Sequence, residues 1–166
     1  NNKLLHLEDS KKIFENKYQK FNVFSYSSKH RSEKYFTEFN TSKDIKLKIE
    51  HSKNVTIKFS NENEINIIFE NSKEWALISD QIIHDININL LINQNLNENL
   101  NYKNNRGLTG CLTFYNIKFN NSNLKSVNSK CEDSINIIKS QGKINNISIS
   151  DSISNGLDID FSHLTI

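Results

Sequence analysis

The sequence predicts an all-β protein that ends in rungs of a right-handed parallel β-helix and carries a short α-helical cap near its N-terminus. Three observations support this prediction. From residue 44 onward, apolar and polar residues alternate in short segments, these segments recur about every ten residues, and one pattern near the C-terminus repeats after 22 residues. Half-buried strands have this two-residue alternation. A repeat in the low twenties is typical of solenoids.

Length and composition indicate one domain of 166 residues with enough apolar side chains for a core. Proline is absent, and all four glycines lie after residue 106, so tight corners are expected in the last region. Asparagine makes up about one residue in six. Two explanations stay open: an AT-rich genome, or a need for asparagine at stacked turns, where it caps the backbone and tolerates the left-handed conformation.

The first region, residues 1–40, is predicted to hold a helical cap and edge strands. Residues 7–20 place Leu7, Phe14 and Tyr18 at helical spacing behind an acidic start, which favours an amphipathic helix. A helix at that position would cover an open sheet edge.

The second region, residues 41–106, is β-rich. Its alternating segments suit early solenoid rungs or a separate small β-sandwich, because both contain half-buried strands with the same period. Residues 93–106 are polar and asparagine-rich, which indicates a surface loop.

The third region, residues 107–166, contains the repeat. Residues 132–137 align with residues 154–159, and the polar, small and apolar classes match position by position. This alignment predicts a register in which Asp133 lies beside Asn155 and Asn136 beside Asp158. Isoleucine and leucine would then stack inside and the carboxylates would face outward.

Three short sequences carry a family resemblance: Gly110-Cys111, Cys131-Glu132-Asp133-Ser134 and Leu157-Asp158-Ile159-Asp160-Phe161-Ser162. The segment that contains them, about a third of the chain, resembles right-handed β-helix repeats of bacterial secreted and cell-surface proteins. Such repeats are found downstream of spore-coat-kinase-like (CotH-type) domains. The resemblance implies a pectate-lyase-like topology and an extracytoplasmic setting. It does not imply kinase activity, because the chain has no glycine-rich phosphate loop and no HRD or DFG motif.

The two cysteines, Cys111 and Cys131, are 20 residues apart, a spacing that places them in neighbouring rungs. A disulfide between rungs is one interpretation, suited to an oxidising compartment. Two buried thiols that fill core positions are the other.

The candidate ligand-binding residues are Asp133, Asn136, Lys139, Asp158 and Asp160. On neighbouring parallel strands, their carboxylates and amide would suit Ca²⁺, with Asp158 and Asp160 as its ligands, or sugar hydroxyls. The alternative is structural, because Asp and Asn also form corner hydrogen bonds and solvate an outer face. No other cofactor is expected.

Catalysis has a weaker basis, and no residue is predicted to be catalytic. The five histidines are dispersed and no nucleophile motif is present. The fold family implies that a lyase or epimerase would pair Asp with a basic residue on one parallel face, for which Lys139 or Lys143 is available. Aromatic residues concentrate early in the chain, where they serve as core or as a platform for stacking sugars: Tyr18, Phe21, Phe24, Tyr26, Tyr35, Phe36 and Phe39.

The partners follow from charge and hydropathy. Residues 1–60 hold 13 Lys+Arg and 7 Asp+Glu, but they are scattered, so nucleic acid is not expected. No apolar run is long enough for a membrane span. We expect a non-catalytic extracytoplasmic module for binding or assembly, with a polysaccharide or another surface protein as its partner. The chain starts without Met and stops mid-strand, which suggests a processed or fragment chain with end-to-end association through the last rung.

Overall fold

The computed structural model describes residues 33–40, 46–70, 74–93 and 108–166. All of them belong to the second of two compact units, residues 32–166. The helix predicted at residues 7–20 and nearly all of the predicted loop lie outside the described residues. The described part is all-β, and it contains no helix with the length and apolar character needed to cross a membrane.

The described residues form thirteen strands in two sheets. In order across the first sheet they are β1 (Tyr35–Asn40), β2 (Lys46–His51), β5 (Ala76–Ser79), β8 (Gly110–Tyr115), β10 (Asp133–Ile138) and β12 (Asn155–Asp160). In order across the second they are β13 (His163–Thr165), β11 (Gln141–Ser150), β9 (Lys118–Val127), β7 (Asn87–Ile92), β4 (Glu64–Phe69) and β3 (Val55–Asn61), with β6 (Ile82–His84) beside β9.

The chain alternates between the two sheets, so the fold is a β-solenoid of about four turns. Strands β5, β8, β10 and β12 pair in parallel, as do β7, β9, β11 and β13. Parallel neighbours need a crossover connection, which each turn supplies through the opposite sheet. The predicted all-β solenoid is confirmed, while its right-handedness stays a prediction.

The predicted register of the last rungs is confirmed. Asp133 pairs with Asn155 and Asn136 with Asp158, an offset of 22 residues. Ile135 stacks between Leu112 and Leu157 in the inner column and is fully buried. A slip by one residue would turn every such apolar side chain to the outside, which is why the repeat fixes the register.

The strands of residues 46–92 extend the same two sheets. Strand β1 pairs with β2 and β2 with β5 in the antiparallel direction, whereas β4 pairs with β7 in parallel. The solenoid interior is therefore continuous from Leu47 and Ile49 to Ile144.

The corners between the strands depend on residues in the left-handed backbone conformation. In the part of the chain that the structure describes, eight non-glycine residues have φ between 50° and 62°, and six of them are Asn or Asp: Asp80, Asp85, Asn116, Asn121, Asn128, Lys139, Asp151 and Phe161. At one corner the amides of Asp80, Asn116 and Lys139 each donate to the next rung, to Tyr115, Ile138 and Asp160. Asn and Asp tolerate this conformation better than other non-glycine residues, so Asn116, Asn121 and Asn128 have a structural role at the corners.

Among the glycines of the described residues, Gly142 combines a positive φ with a close approach of neighbouring backbone. Its φ is 111°, and a Cβ there would lie 2.1 Å from the carbonyl oxygen of Phe119 in the neighbouring rung. We predict that Gly142→Ala lowers the free energy of unfolding by about 2 kcal/mol or more, as measured by chemical denaturation.

Gly156→Ala is the matched control. A Cβ at Gly156 meets a side-chain atom of Ile149 at 3.2 Å rather than backbone, so its effect should stay within about 1 kcal/mol. If both variants lower the free energy of unfolding equally, the close approach of the Phe119 carbonyl is not what requires glycine at position 142.

Candidate functional site

The outer face of the first sheet carries three of the five predicted site residues, Asn136, Asp158 and Asp160. Two outward columns cross the solenoid turns on this face. One runs through Leu77, Thr113, Asn136 and Asp158, and the other through Ser79, Tyr115, Ile138 and Asp160. Neighbours in a column are about 4.8 Å apart because that is the spacing between paired strands.

The acidic end of this face brings Asn136 and Asp158 together. The Asn136 Nδ2 donates to Asp158 Oδ2 at 3.4 Å and to Thr109 Oγ1 at 3.1 Å. Burial raises the pKa of the Asp158 carboxyl, and the charges of Asp160 and Asp133 raise it further. The face therefore holds more negative charge at this end than its surroundings balance.

Two predicted site residues are less exposed than expected. Asp133 and Asn136 are only 3% and 5% exposed, although the register was expected to turn the carboxylates outward. The Asp133 Oδ1 accepts a hydrogen bond from Asn155 Nδ2 at 3.2 Å, so this carboxylate links two neighbouring rungs. Asp158 is partly exposed and Asp160 is exposed, which leaves these two available to a ligand.

Lys139 lies at the corner beside this face. Its Nζ donates to the Tyr115 hydroxyl at 3.2 Å and lies 5.4 Å from the centre of that ring. Among the ion pairs of the described residues, none joins Lys139 to Asp158 or Asp160. The Lys139 amine therefore contacts the Tyr115 ring and hydroxyl rather than either carboxylate.

A groove on the opposite half of the same face was missed by sequence reasoning. It has a volume of about 310 Å³ and is lined by side chains of β1, β2 and β5 and the turn that follows: Phe36, Glu38, Lys46, Lys48, Glu50, Leu77, Ser79 and Gln81. Of these, only Phe36 had been singled out, as one of the early aromatics. The described residues of that aromatic group are Tyr35, Phe36 and Phe39.

The groove is held in shape by Gln81. Its Oε1 accepts from the Lys48 backbone amide at 2.7 Å, and its Nε2 donates to the Lys48 and Ser79 carbonyls at 2.8 and 3.0 Å. The Lys48 ammonium lies 4.2 Å from the centre of the Phe36 ring, a cation–π distance. Lys46 also holds the pKa of the Glu38 carboxyl below its usual value, through a hydrogen bond and its charge.

A second groove adjoins the first at the solenoid corner. It has about the same volume, 310 Å³, and its lining is Asp80, Gln81, Ile82, Asn116, Ile117, Lys118 and Gln141. The Asn116 Nδ2 donates to Asp80 Oδ1 at 2.7 Å. Because Gln81 lines both grooves, they meet there, and we call the pair the Gln81 groove.

The other candidate groups are structural. Cys111 and Cys131 form a disulfide with a Cα–Cα distance of 5.5 Å. His51 is buried, with Nδ1 2.8 Å from the Ser52 carbonyl and Nε2 2.9 Å from the Thr37 hydroxyl. Among the described residues, no group of three or more His, Cys, Asp or Glu is placed to hold a metal ion.

Comparison with known proteins gives no relative: no family model, curated protein or solved structure matches the chain.

The raised pKa of Asp158 predicts a stabilising substitution. Burial and the neighbouring carboxylates hold the pKa of Asp158 above its ordinary value, so the folded protein loses stability as pH rises through that range. Asp158→Asn removes the charge and keeps an oxygen for the Asn136 amide. We expect a small rise in Tm at pH 7 in EDTA, measured by thermal unfolding, and a smaller difference in acid.

Asp151→Asn is the control for this prediction. Asp151 is exposed at the preceding corner with φ 55°, a conformation that Asn also accepts, so its Tm should not change. A fall in Tm for Asp158→Asn would show that its carboxylate stabilises the fold.

Proposed function

We propose that the chain is a non-catalytic, extracytoplasmic β-solenoid module that binds a polysaccharide in the Gln81 groove. The observation that carries this proposal is the combination of Phe36, Lys48 and Gln81 on one open surface. Sugars present apolar C–H faces that stack on aromatic rings, and hydroxyls that exchange hydrogen bonds with amides and carboxylates. Both kinds of surface occur together in this groove.

The charges of the groove favour a neutral or weakly charged sugar. Three lysines line it, Lys46, Lys48 and Lys118, and they are matched by the acids Glu38, Glu50 and Asp80. Nucleic acid binding needs an excess of positive charge along its path. A balanced, amide-rich groove fits hydroxyl recognition instead, and two adjoining pockets suit a chain of sugars rather than one.

Two further observations support the proposal. The Cys111–Cys131 disulfide is suited to an oxidising, extracytoplasmic compartment. The separation of the Lys139 amine from the carboxylates favours binding over a lyase or epimerase reaction, which needs an acid and a base within hydrogen-bond reach of one proton. The right-handed, pectate-lyase-like winding is part of the same proposal.

A glycan array followed by calorimetry on a bound glycan tests this function. We expect the wild-type protein to bind a neutral polysaccharide and Phe36→Ala to weaken it about tenfold, roughly 1.4 kcal/mol, because the stacking surface is lost. Phe161→Ala is the matched control, since it removes a phenyl that is 88% exposed in the last rung, outside the groove.

Circular dichroism of each variant separates loss of binding from loss of fold. The proposal is wrong if the folded wild-type protein binds no glycan, or if both alanine variants weaken binding equally.

A second candidate function, assembly with another copy of the chain, is favoured by the last rung. Its exposed large apolar residues are Ile153, Ile159, Phe161 and Ile166. The inner columns repeat the same residue class from rung to rung, so a second last rung presents a matching apolar surface. Asp158 and Asp160 oppose this contact, because charges on an edge strand resist pairing.

Light scattering over a range of protein and salt concentrations tests the assembly. The mass should rise from 19.3 kDa toward twice that value as salt screens the carboxylates, and Ile159→Asp should hold it at the monomer. Ile82→Asp changes a similarly exposed isoleucine away from the last rung and should not. A monomer at every concentration would exclude this function.

A further inference from the structure

We propose that the column Asn136–Asp158 binds a divalent cation, with Ca²⁺ the best fit, at a site separate from the Gln81 groove. The proposal starts from two oxygen atoms in this outward column. Within the described part of the chain, Asn136 Oδ1 and Thr113 Oγ1 are buried and have no hydrogen-bond partner. A buried polar atom without a hydrogen-bond partner lowers the stability of the fold by about 1–3 kcal/mol. A ligand that contacts such an atom recovers part of this free energy on binding.

These oxygens lie next to unbalanced negative charge. Thr113, Asn136 and Asp158 occupy successive rungs of one column, and Asn136 Nδ2 is 3.4 Å from the Asp158 carboxylate. In this structure the amide nitrogen, and not Oδ1, faces that carboxylate. A half-turn of the amide about its terminal torsion, which is a broad and nearly two-fold torsion, turns Oδ1 toward Asp158.

The two side chains are close enough to share one ion. The Asn136 amide and the Asp158 Oδ2 are 3.4 Å apart, and Ca²⁺–oxygen distances are about 2.3–2.6 Å. An ion to one side of this pair, rather than on the line between the two atoms, therefore reaches an oxygen of each residue. Asp160, two residues along the same strand and on the same face, supplies further negative charge, and water completes the ligand set.

The packing around Asn136 is tight. A Cβ on Gly110 would lie 2.8 Å from both the Asn136 Cβ and the Thr113 Oγ1, so only glycine fits beside these two side chains. With two available carboxylates rather than three, the site belongs to the weak class of extracellular Ca²⁺ sites, with Kd of about 10⁻⁴–10⁻³ M.

Calorimetric titration with CaCl₂, together with Tm in CaCl₂ and in EDTA at equal ionic strength, tests the site. We expect one Ca²⁺ per chain and a Tm that rises by a few degrees at saturating Ca²⁺. Asp158→Asn should weaken Ca²⁺ at least about tenfold and abolish the Tm shift, and Asp160→Asn should weaken it less. Asp151→Asn, which removes an aspartate outside the column, should bind like the wild-type protein.

The outcomes separate this site from the polysaccharide groove. Phe36→Ala should leave Ca²⁺ binding unchanged, and Asp158→Asn should leave glycan binding unchanged. The proposed site is wrong if titration with CaCl₂ gives no heat of binding and Ca²⁺ does not shift the Tm. It is also wrong if the wild-type protein and Asp158→Asn bind Ca²⁺ equally, because the ion would then bind elsewhere.

Discussion

The in-register stacking of parallel rungs is the constraint on which this structure depends. Each strand of the later turns completes its backbone hydrogen bonds only with the strand one turn away, so one misplaced rung would leave its neighbours unpaired. Register is held from inside by apolar columns such as Leu112–Ile135–Leu157. At the corners it is held by side chains: Ser140 Oγ accepts from the Ile117 amide at 3.0 Å, and Ser162 Oγ accepts from the Ser140 amide at 2.9 Å.

The same constraint explains which parts of the fold the sequence predicts. The 22-residue repeat and the two-residue alternation together determine which residues are neighbours, and the Asn136–Asp158 pair follows from them. Strand direction does not follow, because antiparallel β2 and parallel β4 alternate in the same way. Residues 41–92 therefore suited either rungs or a sandwich from pattern alone.

The site was less predictable than the fold. The two-residue alternation predicts which residues share a column, but it does not predict how much of each side chain is exposed. Exposure depends on everything that packs around the face, so the 5% exposure of Asn136 could not be predicted from its outward position. The Gln81 groove joins Phe36, Lys48 and Gln81, and the hydrogen bonds that shape it connect residues 33 positions apart. No local pattern marks such a contact, since it arises where two strands of different turns become neighbours.

Asparagine has a structural use that composition alone left undecided. Besides the left-handed corners, amide pairs connect turns of the second sheet: Asn123 Nδ2 donates to Asn87 Oδ1 at 2.7 Å, and Asn89 Nδ2 to Asn66 Oδ1 at 2.9 Å. Each pair joins paired strands at matching positions, where an amide offers both a donor and an acceptor. At these positions the residue type is required by stacking, whatever the codon usage.

Asp158 and Asp160 connect the proposed cation site with the edge strand of the first sheet. Both lie on β12, the outermost strand of the first sheet, where negative charge discourages pairing with another strand. A cation bound at Asp158 would reduce that repulsion and so favour association of two last rungs. Linkage then requires the reverse effect of equal size: association must strengthen cation binding by the same factor. Without the ion, the carboxylates of two chains would repel each other and keep the two edge strands apart. With the ion bound, that repulsion is reduced and the two edge strands can come into contact.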